Sequence, residues 1–297
     1  MTTTFTLAEP TTIGDALQKG SAHLREVGIG SGNIEAALLL SMVTGLDRLR
    51  LLTYMSRELS PGEHDEFVTL IDRRTSREPL QYITGTTQFM GLDFEVSPAV
   101  LIPRPDTEIL VEAVLDTEEV AGAREGVLIA DVGTGSGAIA VSLASYLQYA
   151  RVIATDISPS ALAVARRNVE THGVADRVEL LQGDGLNPLA AYKGGITHLV
   201  SNPPYIPSTD IPGLDPEVRD YEPRSALTPG EDGLAWYRMF ESQGPDWVQS
   251  GGWLSVEVGM GQAESVAELL RADGRWESVA LRRDLSGIDR VVQAKRA

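Results

Sequence analysis

Five short apolar runs alternate with helical stretches between residues 127 and 258, and this alternation narrows the fold more than any other feature of the chain. Residues 127–131, 152–156, 178–181, 196–201 and 252–258 have strand length and little polar content, as strands buried on both faces require. Helical stretches fall at 138–147, 160–170 (opened by Ser158 and Pro159), near 234–249 and at 262–272. Such a succession builds a parallel sheet with right-handed crossovers. Residues 276–281 and 290–293 read as two more strands, with too short a link for a crossover helix. They are expected to pair as an antiparallel hairpin at the sheet edge. The predicted class is α/β.

In an open sheet of this kind, ligands bind outside the carboxyl ends of the strands. One such end is Asn202-Pro203-Pro204-Tyr205, which breaks the run 196–201 at once. Proline lacks an N–H and fixes φ, and the residue before a proline is held extended. The result is a rigid corner, rich in acceptors and poor in donors. The Asn202 side-chain oxygen and the Pro203 carbonyl can accept both hydrogens of a planar –NH2 group, and the Tyr205 ring offers a face for it to lie against. Should that nitrogen attack an electrophile, positive charge develops on it, and fixed acceptors stabilise that charge. A double-proline turn can also do no more than end a strand.

Three neighbouring strand ends shift that balance. Gly133-Thr134-Gly135-Ser136-Gly137 lies between a strand and a helix, where glycines admit a ligand to the backbone and the helix N-terminus attracts a carboxylate or phosphate. Its GxGxG spacing differs from the GxGxxG of dinucleotide sites. Asp156 ends the second strand, placed to accept both hydroxyls of a ribose. Asp184, within Gly183-Asp184-Gly185 at the end of the third, can reach an adenine amino group. Four such features on one sheet edge define a binding site.

The 297 residues allow two domains, and 42% hydrophobic content supports a sizeable core. A net charge of −17 weighs against nucleic acid as the main partner, because duplex binding depends on cationic phosphate contacts. The chain has no cysteine and no apolar run of membrane-spanning length, and Met1-Thr2-Thr3-Thr4-Phe5 lacks the character of a signal peptide. A cytoplasmic protein is expected. The four histidines, His23, His64, His172 and His198, form no metal-binding pattern, and no metal is expected.

Residues 1–78 read as a small helical bundle. Ile13, Ala16, Leu17, Leu24 and Val27 share one helix, closed by Gly28; Asn33 caps a second through Ile34, Ala37, Leu38 and Met42; Leu49, Leu52 and Met55 suggest a third. Ser60-Pro61-Gly62-Glu63 has capping-box spacing ahead of Phe67, Leu70 and Ile71, with Arg73, Arg74 and Arg77 near the last turn, where cations suit the helix dipole. The bundle serves substrate recognition or is a packing appendage. Residues 79–104 are expected to form a β-hairpin linker bent at Gly91, and 105–297 the catalytic domain. Asp106 or Thr107 can cap the helix at 109–115. Arg104, held between two prolines, is either a site residue or a structural ion-pair partner.

The glycine loop, Asp156, Asp184 and the NPPY corner together resemble the class I S-adenosylmethionine-dependent methyltransferases. The resemblance implies a Rossmann-like sheet with S-adenosylmethionine bound so that its carboxylate lies near Gly133, Thr134, Gly135, Ser136 and Gly137, its ribose on Asp156, its adenine near Asp184 and Gly185, and its methyl facing Asn202. From Arg77 onward the likeness narrows. Arg77-Glu78-Pro79-Leu80-Gln81-Tyr82, Phe89-Met90, Val96-Ser97-Pro98, Leu101 through Glu108, Asp220-Tyr221-Glu222-Pro223, Gly230 to Gly233, Ser250 to Gly252, Asp284-Leu285-Ser286-Gly287 and Asp289-Arg290-Val291 resemble the release-factor glutamine methyltransferases. Gly185, where several members carry an aromatic residue against the adenine, departs from the pattern, as does Ile288, where a polar residue is more usual.

Membership implies methyl transfer to N5 of the glutamine in the GGQ loop of peptide chain release factors, leaving S-adenosylhomocysteine. Asn202 and the Pro203 carbonyl would hold the amide, with Pro204 and Tyr205 walling it in. A monomer acting on a protein is expected, with no direct nucleic acid contact. The competing readings are an adenine-N6 or guanine-N2 nucleic-acid methyltransferase, a binding module without chemistry and, more distantly, a dinucleotide oxidoreductase.

Overall fold

The computed structural model describes residues 4–122 and 126–297. The opening Met1-Thr2-Thr3 and residues 123–125 lie outside the described residues. Two compact units emerge: Met1–Gly85 with Pro216–Tyr221, and Thr86–Asp215 with Glu222–Ala297. The first therefore ends seven residues later than the sequence boundary at 78, and a helix from the middle of the chain belongs to it.

The first unit holds the helices Ile13–Glu26, Gly32–Thr44, Arg48–Thr53, Pro61–Thr75 and Leu80–Thr84 around a core that includes Ile13, Leu24, Leu39, Leu40, Phe67 and Ile71. The Thr12 hydroxyl accepts the Asp15 N–H at the first helix, and Ser60 with Glu63 forms the expected capping box. In the second helix Ala36, Leu39 and Leu40 are buried, with Gly32 and Glu35, whereas Ile34, Leu38 and Met42 are exposed; Leu49 and Leu52 also face solvent. The cap of that helix is Ser31 rather than Asn33. Leu80–Thr84 is one helical turn rather than the start of a strand, because the left-handed Gly85 ends it. The arginines of the fourth helix and its exit form ion pairs. Arg73 holds Glu78, Arg74 donates to Glu35 and, at 3.1 Å, to Glu217, and Arg77 reaches Glu217 at 2.8 Å. His64 meets Asp65 at 3.0 Å and Glu9 at 3.5 Å. Asp65, then the Leu7 carbonyl and Glu9, favour its protonated form, against burial.

The second unit begins with the hairpin β1 (Thr86–Phe89) and β2 (Leu92–Glu95), which turns at Met90-Gly91. A sheet of seven strands follows: β3 (Leu128–Val132), β4 (Arg151–Asp156), β5 (Val178–Gln182), β6 (Ile196–Ser201), β7 (Val248–Glu257), β8 (Trp276–Arg283) and β9 (Asp289–Arg296). The spatial order is β5-β4-β3-β6-β7-β9-β8. Strands β5 through β7 are parallel, and the β8–β9 hairpin is antiparallel, with β9 docked on β7. Successive residues feed opposite cores: Ile129, Val152, Ala154 and Val200 one, Ala130, Ile153 and Leu199 the other. Among the described residues no helix is long and apolar enough to cross a membrane.

Chain direction along the sheet reverses at β3. The chain winds outward through β4 and β5, then returns to place β6 on the other side of β3. The crevice between the ends of β3 and β6 is the topological switch point where open α/β sheets bind ligands.

Candidate active site

An open cleft lies over that switch point, lined by the glycine loop after β3 and by the ends of β4 and β6. Its floor is the glycine loop after β3. Gly133, Gly135 and Gly137 all have positive φ (79°, 57° and 82°), and a Cβ added at Gly133 or Gly135 would meet no atom within 4 Å. The protein leaves this space unfilled. The Gly133 and Thr134 N–H groups both donate to the Thr155 carbonyl at 2.9 Å, and Gly135 N–H donates to Asp156 Oδ2 at 2.9 Å. Asp156 Oδ1 accepts Ser158 N–H at 2.9 Å, so this carboxylate ties the glycine loop to the end of β4.

Asp131 precedes the loop on β3. Its Oδ2 accepts the Thr134 hydroxyl at 2.6 Å, while Oδ1 is buried with no hydrogen-bond partner among the described residues. Burial pushes its carboxyl up to about 7, against hydrogen bonding from Thr134 and from the Ala140 backbone. Asn168 bridges the loop to the hairpin. Its side-chain nitrogen donates to the Ser136 carbonyl at 2.8 Å and to the Glu95 carbonyl at 3.0 Å, and its oxygen accepts Glu95 N–H at 2.7 Å.

At the end of β6, Ser201 donates to the Val132 carbonyl at 2.6 Å and locks the two strand ends together. Asn202 and Pro204 line the cleft, as do Thr107, Trp236 and Arg104. Pro203 and Tyr205 do not; Tyr205 packs inward, its carbonyl accepting Gln262 Nε2 at 3.0 Å and its hydroxyl donating to Glu257 at 3.4 Å. Gly233 sits so close that a Cβ there would fall 2.3 Å from the Tyr205 oxygen, which gives the glycine near 230–233 a physical reason. Burial, then the Glu257 charge, raises the Tyr205 phenol above its ordinary range, so it stays neutral. Among the adenine-side residues, Gly183 and Gly185 line the cleft, whereas the Asp184 side chain is exposed and does not.

Arg104 combines both roles that the sequence left open. It lines the cleft, and its guanidinium donates to the buried Glu222 at 2.6 Å. Burial raises the Glu222 carboxyl, with Arg104 opposing the shift. Pro223, Ser225 and Ala226 complete that wall. The sequence reasoning also passed over Thr107 as a site residue. Asn202 Nδ2 donates to the Thr107 hydroxyl oxygen at 2.9 Å.

A family model described as "PrmC N-terminal domain" matches residues 15–85, and one described as "Methyltransferase domain" matches residues 129–213. A curated protein of Moorella thermoacetica, named release factor glutamine methyltransferase, is 47% identical over 285 residues, covering 96% of this chain and 99% of its own. The chain belongs to the release factor glutamine methyltransferase family. A second member, from Geobacter sulfurreducens, is 45% identical over 281 residues, 95% of each chain. Likeness at this level spans both units and both sides of the NPPY corner, so the family assignment does not rest on the sheet alone. For the fold, the solved hMettl16 catalytic domain in complex with MAT2A 3'UTR hairpin 6 aligns with a TM-score of 0.56 at 16% identity, covering 76% of this chain and 81% of that one. That likeness speaks to the fold and not to the substrate.

Proposed function

We propose that this protein transfers a methyl group from S-adenosylmethionine to the side-chain N5 of the glutamine in the GGQ loop of peptide chain release factors, in the cytoplasm. The observation that carries the proposal is the Asn202 carboxamide at the cleft, beside the glycine loop, with its NH2 already committed to Thr107. Its oxygen is thereby left for an incoming N–H.

The residues fit the cofactor. Gly133 and Gly135 leave a space that a side chain would fill, and the rim carboxylate Asp156 suits a molecule bearing a ribose. Gly183 and Gly185 supply backbone walls for its base. When bound, S-adenosylmethionine supplies a methyl group on cationic sulfur and departs as S-adenosylhomocysteine.

A carboxamide nitrogen is a poor nucleophile, its lone pair being delocalised into the carbonyl. The protein therefore has to contribute position and charge stabilisation rather than a strong base. Asn202, on a corner stiffened by two prolines, accepts an amide hydrogen, restrains rotation about the C–N bond and aims the nitrogen. As the new N–C bond forms, the nitrogen becomes cationic and the same acceptor stabilises it. The attached proton is then acidic and leaves to water. Apolar walls such as Leu101, Pro204 and Trp236 exclude water during the transfer.

The test is incubation with labelled S-adenosylmethionine and a GGQ-containing bacterial release factor, followed by mass spectrometry of the GGQ peptide. One methyl on the glutamine is expected with the wild type. Asn202→Ala is expected to lose roughly 10²-fold or more in turnover, the scale of one preorganised polar group. Methylation of DNA or RNA instead would overturn the proposal.

A further inference from the structure

We propose that Arg104 binds the amino-acid carboxylate of S-adenosylmethionine; this rests on the cofactor named above. The ligands that meet in the cleft bring a single anion between them. The reacting loop of the substrate, two glycines and a glutamine, has no ionised side chain, whereas the cofactor ends in a carboxylate. A carboxylate taken out of water needs a cation or several donors.

The glycine loop has few donors left to offer. The Gly133 and Thr134 N–H groups both go to the Thr155 carbonyl, that of Gly135 to Asp156, and that of Gly137 to the Thr134 carbonyl at 2.9 Å. The Thr134 hydroxyl is given to Asp131. Of the loop N–H groups between Gly133 and Gly137, that leaves the one on Ser136. Asp156, hydrogen-bonded to the loop, also repels an anion placed there. The loop admits the cofactor to the backbone, and its carboxylate needs a partner elsewhere in the cleft.

Arg104 is that partner. It is the one lysine or arginine among the described residues that line the cleft. Its backbone is fixed between Pro103 and Pro105 in an extended conformation (φ −98°, ψ 143°), and its carbonyl accepts the Thr107 N–H at 3.0 Å. Nη2 donates to the buried Glu222 at 2.6 Å, whereas Nε and Nη1 have no hydrogen-bond partner among the described residues. The side chain is 34% exposed, so these groups remain within reach of a ligand. A guanidinium carries five N–H donors, and one held by a carboxylate on one side can still grip a second. Glu222 aims the guanidinium and offsets part of its charge, which suits a cleft that also takes a cationic sulfur.

The experiment compares two ligands by isothermal titration calorimetry: S-adenosylhomocysteine, and its decarboxylated analogue, which keeps the nucleoside, the sulfur and the amine. Each is titrated into the wild type, Arg104→Met and Arg104→Lys. Arg104→Met is expected to weaken S-adenosylhomocysteine about 10- to 100-fold, the scale of charge-assisted hydrogen bonds, and to leave the analogue within about twofold or tighter. Arg104→Lys, a point charge without the planar fork, is expected to fall between. Equal loss for the two ligands would mean that Arg104 only holds its wall together through Glu222, and unchanged S-adenosylhomocysteine affinity would mean that it holds no ligand; either result overturns the proposal. Should Arg104→Met not fold, the other two proteins decide it. The wild type must then prefer S-adenosylhomocysteine to the analogue by about tenfold or more, and lysine must narrow that preference; an equal preference in both overturns the proposal. A wild type that binds neither ligand removes the cofactor assignment and this proposal with it. The expected pattern without a methyl on the GGQ glutamine removes the substrate assignment alone.

Discussion

Asp156 Oδ2 accepts the Gly135 N–H at 2.9 Å, so the acid that ends one strand shapes the loop that follows its neighbour. With Oδ1 on Ser158 N–H, the carboxylate is aimed before any ligand arrives, yet it retains lone pairs toward the cleft. Replacing it removes both a ligand contact and the restraint on the loop. Asp156→Ala is expected to weaken S-adenosylhomocysteine binding about 10- to 100-fold, the scale of hydrogen bonds to a charged group. Isothermal titration calorimetry reads this directly, and unchanged affinity would rule the role out.

Gly185 has φ +52° and lies under Met239, whose sulfur would stand 2.8 Å from a Cβ built there. The space that an aromatic side chain would need is already taken. Gly185→Phe is therefore expected to cost about 1–3 kcal/mol as overpacking and backbone strain, seen as a lower urea midpoint, with no gain in cofactor affinity. Pairing it with Met239→Ala is expected to recover part of the loss; identical midpoints for the single and double variants would contradict the packing explanation.

Asp131 and Glu257 are both buried carboxyl groups raised to about 7. Each binds its proton more tightly in the folded than in the unfolded chain, so between about pH 4.5 and about pH 7 stability falls as pH rises. His64, raised by Asp65 and Glu9, acts in the same direction, since its contribution is lost as pH rises through its folded pKa. The ligand-free protein is expected to have a higher thermal midpoint at about pH 5.5 than at about pH 7.5. Glu257→Gln is expected to flatten that slope, and a midpoint that rises over the interval would count against the assignment.

Arg74 is buried between Glu35 and Glu217. Removing it strands two carboxylates, and breaking a buried pair in this way costs on the order of 3–5 kcal/mol. Arg74→Ala is expected to lose stability on that scale in urea titration, while Glu217→Gln, which keeps a hydrogen-bond acceptor, is expected to lose markedly less. Equal losses would mean that charge has no part in holding the helix Pro216–Tyr221.

The sheet was legible because its strands are buried on both faces and so read as continuous apolar runs; each predicted strand lies within a residue or a few of β3 to β9. The second N-terminal helix was not, although its existence was. Its apolar residues run all round, so Ile34, Leu38 and Met42 at spacing four look as well suited to burial as Leu39 and Leu40, and only tertiary contacts choose between them. Helix Pro216–Tyr221 is too short for periodicity to show. At the cleft, glycine spacing and double proline are local signals and exposed Gly133, Gly135, Asn202 and Asp156 in advance. Thr107, Asn168 and Glu257 act through partners 95, 32 and 52 residues away or more, which no local pattern encodes. Glu257 did carry one usable sign: an acid closing an apolar strand beside the strand that ends in Asn202.

Because Pro216–Tyr221 is claimed by the N-terminal unit while its flanks on both sides are not, the backbone passes between the two units three times. No single cut of the gene separates them. A fragment beginning at Thr86 would keep every residue of the cleft floor but carry an orphaned segment whose Glu217 had lost both arginines, so truncation in this protein amounts to a lesion in the catalytic half as well.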